Sequence, residues 1–277
     1  MAIRLSNLFI NALSTLAPQL MARVVFDKFC HPKRFARTKA ETACALRGIK
    51  FIFKSGRVAN IWGDDGSENQ DLVLLCHGWE SRGTTFYVLI DTLVAKGFKV
   101  LAWNAPAHGS SPGTKTQIFD MTSALIEDLK QQNLQPVAFV GHSMGGAMLG
   151  IVSKYISLPK PIIMISSPSQ ILPMFQKFFA ARHLSKKVQA LVFKKINQLG
   201  DYTLDEISLI NCQLQHEQTA LIIHDKTDKQ VPFAEFEKLQ TVWKKAQFHP
   251  TENLGHNRIL RDENIATLIT QHIIKHK

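Results

Sequence analysis

Residues 136–152 read PVAFVGHSMGGAMLGIV, and this stretch decides the fold. The apolar run 136–140 is typical of a buried strand, and the run 147–152 is typical of a helix. Between them lies GHSMGG, residues 141–146, with a G-x-S-x-G motif centred on Ser143. A strand, this motif and a helix in succession predict a strained turn that lifts the serine hydroxyl above a sheet edge. Glycine is expected at positions 141 and 145, because a Cβ atom there would clash within so tight a turn.

Strand-like and helix-like runs alternate on both sides of this turn, which predicts a mainly parallel sheet flanked by helices. The stretches 48–53 and 57–62 alternate around Ser55-Gly56 and predict an opening antiparallel hairpin. Further strands are predicted by continuous apolar runs and one short final run, at 71–76, 98–103, 137–140, 161–165, 220–223 and 247–248. The sequence therefore predicts an α/β fold with an eight-stranded sheet.

Residues 169–215 interrupt the alternation, because they contain no strand-like run. Their apolar side chains recur at helical spacing, which predicts a helical cap inserted between the sixth and seventh strands. The predicted organisation is an N-terminal amphipathic helical segment at 1–44, a core at 45–168 and 216–277, and a cap at 169–215.

The first forty residues combine a helical apolar pattern with a basic cluster around Phe35. The stretch 5–22 contains too many polar side chains for a membrane-spanning helix. Three interpretations stay open: a helix packed on the domain, which is favoured, an amphipathic helix on an anionic membrane surface, and a secretory signal with Arg4 as its positive region. The basic cluster contains Lys33, Arg34, Arg37 and Lys39.

The composition is that of an ordinary soluble globular protein, with 277 residues of which 45% are hydrophobic and 20% charged. A net charge of +11 is compatible with nucleic acid, an anionic membrane or an acidic substrate. The sequence lacks the signatures of nucleic-acid-binding modules, so no nucleic-acid partner is expected. The four cysteines are scattered and predict neither a disulfide framework nor a zinc site. A reducing cytoplasm is therefore the expected location, with peripheral membrane attachment as the alternative.

A serine hydroxyl becomes a good nucleophile when a neighbouring base takes its proton and a third group orients that base. Candidates for both roles follow later strands, at the sheet edge where Ser143 is expected. Asp225 and Asp228 follow the run 220–223, and His256 follows the last strand. The chain order serine, aspartate, histidine is that of the α/β-hydrolases.

With these residues in place, the chain resembles the α/β-hydrolase fold superfamily, of the serine esterase or lipase kind. The resemblance extends from residue 48 to the C-terminus. Four motifs carry it in order: His77-Gly78-Trp79, the loop PAHGSS at 106–111, GHSMGG, and the segments that contain Asp228 and His256.

The resemblance implies that Ser143 is the nucleophile, His256 the general base and then acid, and Asp228 the residue that orients it. Asp225 occupies a position where the family has glycine, and we expect it to cap its loop or to be solvated. The backbone N–H groups of Trp79 and Met144 would form the oxyanion hole, and the Trp79 side chain would line the acyl pocket. Histidines at motif positions are expected to hold loops by hydrogen bonds: His77, His108, His142 and His224.

The expected activity is hydrolysis of a small-molecule carboxylic ester with a small or medium acyl group, without metal or organic cofactor. A thioesterase and a lysophospholipase-like lipid hydrolase use the same machinery and remain alternatives. A lyase that uses the triad as a base and a non-catalytic binding protein are alternatives from other classes. An anionic membrane surface is a possible partner through the N-terminus, and the sequence leaves the oligomeric state open.

Overall fold

The computed structural model describes residues 14–158, 161–212, 214 and 217–277, and its centre is an eight-stranded sheet. The strand order is β1-β2-β4-β3-β5-β6-β7-β8. β1 pairs antiparallel with β2 and β2 with β4, whereas the other neighbours are parallel. The predicted α/β fold, including its opening hairpin, is confirmed. The strands are β1 (Ile49–Ile52), β2 (Val58–Trp62), β3 (Leu72–Cys76), β4 (Lys99–Trp103), β5 (Ala138–His142), β6 (Ile162–Ile165), β7 (Leu221–Asp225) and β8 (Gln247–Thr251).

Helices cover both faces of the sheet, so its central strands are buried on both sides. Leu74 and Phe139 belong to one core with the helices α4, α5 and α8. Val73 and Val140 belong to the opposite core with α3 and α10. This alternation of side chains along each strand explains the continuous apolar runs of the sequence. The helices are α1 (Pro18–Phe29), α2 (Lys39–Arg47), α3 (Tyr87–Val94), α4 (Ile118–Gln131), α5 (Met144–Tyr155), α6 (Leu172–Ala180), α7 (Lys186–Ile196), α8 (Ala234–Val242), α9 (Gly255–Arg258) and α10 (Glu263–His276).

The insertion between β6 and β7 contains α6 and α7, with a short 3-10 turn at Leu209–Asn211 beyond them. These two helices share a third apolar core with α1 and with the start of α4 and α5. Val25 of α1, Phe179 of α6 and Val188 of α7 are all buried in it. The helix α1 thus packs on the cap. The predicted helical pattern at residues 5–13 lies outside the described residues, and the division into segment, core and cap stays a prediction.

Among the described residues, no helix is both long enough and apolar enough to cross a bilayer.

The turn between β5 and α5 has the strain that its sequence predicts. Ser143 has φ 53° and ψ −122°, a conformation that costs energy for a residue with a Cβ atom. A Cβ atom at Gly141 would lie 2.5 Å from Gly146 Cα, and one at Gly145 would lie 2.2 Å from the Cys76 carbonyl oxygen. Both glycines are therefore required by close backbone approach.

Replacement of Gly145 by alanine tests the close contact between this turn and the end of β3. Gly145 lies in helical backbone, where alanine is ordinarily more stable by about 1 kcal/mol. Because the new Cβ would meet the Cys76 and His77 carbonyl oxygens at 2.2 and 2.7 Å, we expect the opposite sign. The free energy of unfolding in urea should fall by about 3 kcal/mol or more.

Gly56→Ala is the matched control, since Gly56 has φ +82° and open space around its Cβ position. Only the positive φ should cost stability there, by about 1 kcal/mol. A Gly145→Ala protein as stable as the original would show that the two loops do not approach as described.

Candidate active site

Loops that follow β3, β5, β7 and β8 meet at one edge of the sheet, where the carboxyl ends of the parallel strands lie. They enclose a cavity of about 430 Å³. The predicted residues Trp79, Ser143 and His256 all line this cavity. The topology therefore brings three of the predicted residues to one space although they are up to 177 positions apart in the sequence.

Asp228 and His256 form a buried pair beneath the cavity. His256 Nδ1 lies 2.6 Å from Asp228 Oδ2, and Asp228 Oδ1 accepts hydrogen bonds from the Gln230 and Val231 N–H groups at 2.8 and 2.9 Å. Because the carboxylate accepts, His256 Nδ1 carries the proton and Nε2 is left with a free lone pair. Burial alone would raise the pKa of Asp228, but the hydrogen bonds from His256 and from the two N–H groups outweigh it and lower that pKa.

Ser143 is held by its backbone, with its N–H donating to the Ile165 carbonyl at 2.8 Å. Within the part of the chain that the structure describes, neither Ser143 Oγ nor His256 Nε2 has a hydrogen-bond partner. The two atoms share the cavity without a hydrogen bond between them. Catalytic hydrogen bonds are often long without substrate, so this geometry is compatible with proton transfer.

Asp225 performs the capping role expected of it. Its carboxylate accepts from the Thr227 N–H at 2.9 Å, the Thr251 hydroxyl at 2.8 Å and the Leu254 N–H at 2.9 Å. Burial would raise the pKa of Asp225, but these donors lower it strongly. Since Leu254 lies two positions before His256, Asp225 ties the turn that carries Asp228 to the loop that carries His256.

The loop after β3 lies against Ser143 at Gly78, with too little room for a side chain on this glycine. A Cβ atom at Gly78 would lie 3.0 Å from Ser143 Cβ. No hydrogen bond among the described residues begins at the backbone N–H of Trp79 or Met144. Both N–H groups therefore lack an acceptor among the described residues.

Two buried histidines fix this loop, as expected from their motif positions. His77 Nδ1 donates to the Gly78 carbonyl at 2.7 Å, and Nε2 accepts from the Ala105 N–H at 3.1 Å. His108 Nδ1 donates to the Pro106 carbonyl at 2.9 Å, and Nε2 accepts from the Glu80 N–H at 3.0 Å. Burial lowers the pKa of His77 to about 3 and that of His108 to about 4, so both rings are neutral at physiological pH.

His142 and His224 hold the loops that carry His256 and Asp228 in the same way. His142 Nε2 donates to the backbone carbonyl of His256 at 2.8 Å. His224 Nε2 donates to the Val231 carbonyl at 2.9 Å. The expectation that these histidines hold loops by hydrogen bonds is confirmed.

Trp79, which lines the cavity, contacts an aromatic residue that sequence reasoning missed. Phe29, the last residue of α1, stacks on the Trp79 ring with centroids 5.7 Å apart and planes at 11°. It also packs against Phe175 of the cap, with centroids 4.5 Å apart. Helical periodicity was the only signal near Phe29, and it does not indicate which loop the helix reaches. The residues that line the cavity itself and were not predicted from the sequence include Phe35, Met174, Gln230 and Asn257.

Comparison with known proteins places this geometry among hydrolases. A family model described as serine aminopeptidase, S33, matches residues 67–248. A Mycoplasma genitalium protein whose name suggests an esterase or lipase is 26% identical over 134 residues, 47% of each chain. An sn-1-specific diacylglycerol lipase of Danio rerio is 32% identical over 109 residues, 38% of this chain and 34% of the lipase. The chain spans less than half the length of these two curated relatives.

Among solved structures, an esterase of Pyrococcus furiosus superposes with a TM-score of 0.61. The superposition covers 89% of this chain and 97% of the esterase at 17% sequence identity, which shows a common fold.

The neutral histidines predict how stability depends on pH. A histidine in the unfolded chain binds a proton below about pH 6.5, whereas folded His108 does so only near pH 4. The contribution of His108 is thus fully present above about pH 6.5 and is lost as the pH falls toward 4, by up to about 1.4 kcal/mol per pH unit. Urea unfolding at pH 7, 6 and 5 should give falling free energies.

His108→Asn should lower stability at pH 7 but reduce the slope between pH 6 and 5. The exposed His249→Asn is the matched control and should leave the slope unchanged. Equal slopes in the original protein and His108→Asn would contradict a neutral, buried His108.

Proposed function

The chain belongs to the serine aminopeptidase S33 family of α/β-hydrolases, and we propose on this premise that it cleaves carboxylic esters through an acyl-enzyme on Ser143. The observation that carries the proposal is the buried Asp228–His256 pair, whose free Nε2 shares the cavity with the strained Ser143. A histidine oriented by a carboxylate is the base that a serine nucleophile requires.

In the proposed reaction, His256 Nε2 takes the Ser143 hydroxyl proton as Oγ forms a bond to the ester carbonyl carbon. Collapse of the tetrahedral intermediate breaks the bond to the alcohol oxygen, which receives that proton from His256. Water then gives a proton to Nε2 and attacks the acyl carbon. The bond between that carbon and Oγ breaks, Oγ takes the proton back from Nε2, and the acid leaves. Asp228 stabilises the imidazolium in both steps and keeps the proton on Nδ1.

The unused N–H groups of Trp79 and Met144 would donate to the oxyanion of both tetrahedral intermediates. Each such donor is worth about 3 kcal/mol in a transition state. The Gly78 approach to Ser143 and the His77 and His108 hydrogen bonds support this assignment, because they hold the Trp79 loop before substrate arrives. No metal or organic cofactor takes part in the proposed reaction.

The acyl group is assigned to a narrow apolar cavity beside the nucleophile. Met144, Phe29, Phe26 and Phe175 line it, and Met144 is the residue directly after Ser143. The volume of this cavity is about 20 Å³, so it supports a small acyl group, and a medium acyl chain would require the cavity to widen. The Trp79 side chain, stacked on Phe29, would close the wall between this space and the main cavity.

A lipid ester is the second candidate substrate, because two of the apolar side chains that line the cavity are exposed. These are Phe35 and Met174, which are 57% and 36% exposed. The zebrafish relative is named as a diacylglycerol lipase. Such a substrate would reach the site from an aggregate or a membrane surface. A thioester or an amide would use the same groups.

The primary test is hydrolysis of p-nitrophenyl acetate, butyrate and octanoate. Ser143→Ala and His256→Ala should each lose the activity by at least about a thousandfold, and Asp228→Asn by a comparable factor. Ser153→Ala is the matched control, since Ser153 lies on the same helix and its hydroxyl bonds to the Gly150 carbonyl. A fluorophosphonate probe should label the original protein and leave Ser143→Ala unlabelled. A folded protein that neither hydrolyses the esters nor reacts with the probe would favour a lyase or a binding protein.

Phe29→Ala tests the acyl assignment. Removal of the ring enlarges the apolar cavity, so the ratio of kcat/KM for octanoate to that for butyrate should rise about tenfold. Phe193→Ala is the matched control, because Phe193 packs in the same apolar core without lining either cavity. An equal change in both variants would indicate a general loss of packing and would contradict the assignment.

A further inference from the structure

A second cavity, of about 260 Å³, adjoins the candidate active site and is strongly basic. Lys33, Arg34, Arg37 and Arg82 all line it. It shares three lining residues with the cavity of Ser143: Phe35, Glu80 and Ser81. The two spaces therefore meet at the Trp79 loop, and a molecule of moderate size could occupy both.

The positive charge of this basic cavity is largely uncompensated. Within the described ranges, no carboxylate lies at salt-bridge distance from Lys33, Arg34 or Arg37. Arg82 Nε is 3.9 Å from Glu41, so one of the four cations has an acidic neighbour. Glu80 is the one carboxylate that lines the cavity, and its Oε1 accepts a hydrogen bond from the Lys33 N–H at 3.1 Å.

Two of the cations are built into the wall. Arg34 donates to the carbonyls of Ala107, Ser111 and Gly113 at 3.1, 2.8 and 2.9 Å, which fixes its charge without neutralising it. Arg82 donates to the Phe35 carbonyl at 2.5 Å. A guanidinium held by neutral carbonyls keeps its full positive charge in place, and this arrangement attracts anions to the space in front of it.

The other two cations are available to a ligand. Arg37 makes one side-chain hydrogen bond, to Ser110 Oγ at 3.3 Å, and Lys33 makes none among the described residues. Both are exposed. An arginine fork together with a mobile ammonium matches the geometry and charge of a phosphate group.

We propose that this basic cavity binds a phosphate group on the alcohol part of the ester that Ser143 cleaves. The inference rests on the proposed function and adds the substrate class: an anionic, phosphate-bearing ester. The acyl group would lie in the apolar cavity beside Met144 and Phe29, and the alcohol part would extend past Glu80 toward Lys33 and Arg37. The apolar and basic cavities have no lining residue in common, so the two parts of the ester would be bound by different residues.

The test compares 1-octanoyl-glycerol with 1-octanoyl-glycerol 3-phosphate, both below their critical micelle concentrations. In the Ser143→Ala background, binding by isothermal titration should be at least about tenfold tighter for the phosphate ester. Addition of Lys33→Gln and Arg37→Gln should remove that difference and leave binding of the neutral ester unchanged. In the active protein, the same two substitutions should raise KM for the phosphate ester alone.

Lys96→Gln with Lys130→Gln is the matched control, because it removes the same charge from exposed positions at the opposite edge of the sheet. It should leave the tenfold difference in place. Glu80→Gln keeps the oxygen that accepts from the Lys33 N–H and removes the only lining carboxylate, so it should tighten binding of the phosphate ester.

Three outcomes would overturn the proposal. Equal binding of the two esters by the Ser143→Ala protein would show that the cavity does not bind the phosphate group. Inorganic phosphate that binds as tightly as the phosphate ester would indicate a site for the free ion. An effect of Lys33→Gln and Arg37→Gln confined to sedimentation with phosphatidylglycerol vesicles would indicate a membrane contact instead. Because binding is measured without turnover, loss of all hydrolysis in the active protein would refute the proposed function separately.

Discussion

The arrangement of the site depends on one close contact between backbones, where the turn after β5 passes over the end of β3. Gly145 comes so near the Cys76 carbonyl that a Cβ atom would lie 2.2 Å from it, and a Cβ atom at Gly78 would lie 3.0 Å from Ser143 Cβ. These contacts set the distance between the serine and the Trp79 loop. A side chain at Gly145 would therefore push the two loops apart. The strained φ of Ser143 follows from the same contact.

Features that depend on short local patterns could be predicted from the sequence. The G-x-S-x-G turn, the apolar strands and the order of Ser143, Asp228 and His256 all follow from short stretches, and the sheet topology then brings them to one edge. The position of α1 could not be predicted, because its periodicity shows that one face is buried and does not identify the partner. Phe29 reaches Trp79 only through packing against cap residues about 150 positions away, and no spacing rule encodes such a contact.

The distribution of charge in the folded chain also could not be predicted from the sequence. A net charge of +11 was compatible with several partners, since composition does not state where the cations lie or what compensates them. In the folded chain, Arg57 is neutralised by Glu127 and Asp128, whereas Arg34 is held by three carbonyls. The sequence alone does not distinguish these two arginines, yet among the described residues the charge of Arg57 is compensated by carboxylates and that of Arg34 is not. Asp225 and Asp228 both accept from backbone N–H groups, but only Asp228 also accepts from an imidazole, whereas Asp225 accepts from two hydroxyls.

The segment that connects α1 to α2 contributes to both walls of the candidate site. Phe29 ends α1 and lines the apolar cavity, and Lys33, only four residues further, lines the basic one. The Glu80 carboxylate accepts from the Lys33 N–H, so this segment is also attached to the loop that would hold the oxyanion. If the two proposals hold, the choice of substrate depends on residues 29–37 as well as on the cap. Because the family match covers residues 67–248, this selectivity would come from a part of the chain outside the matched region.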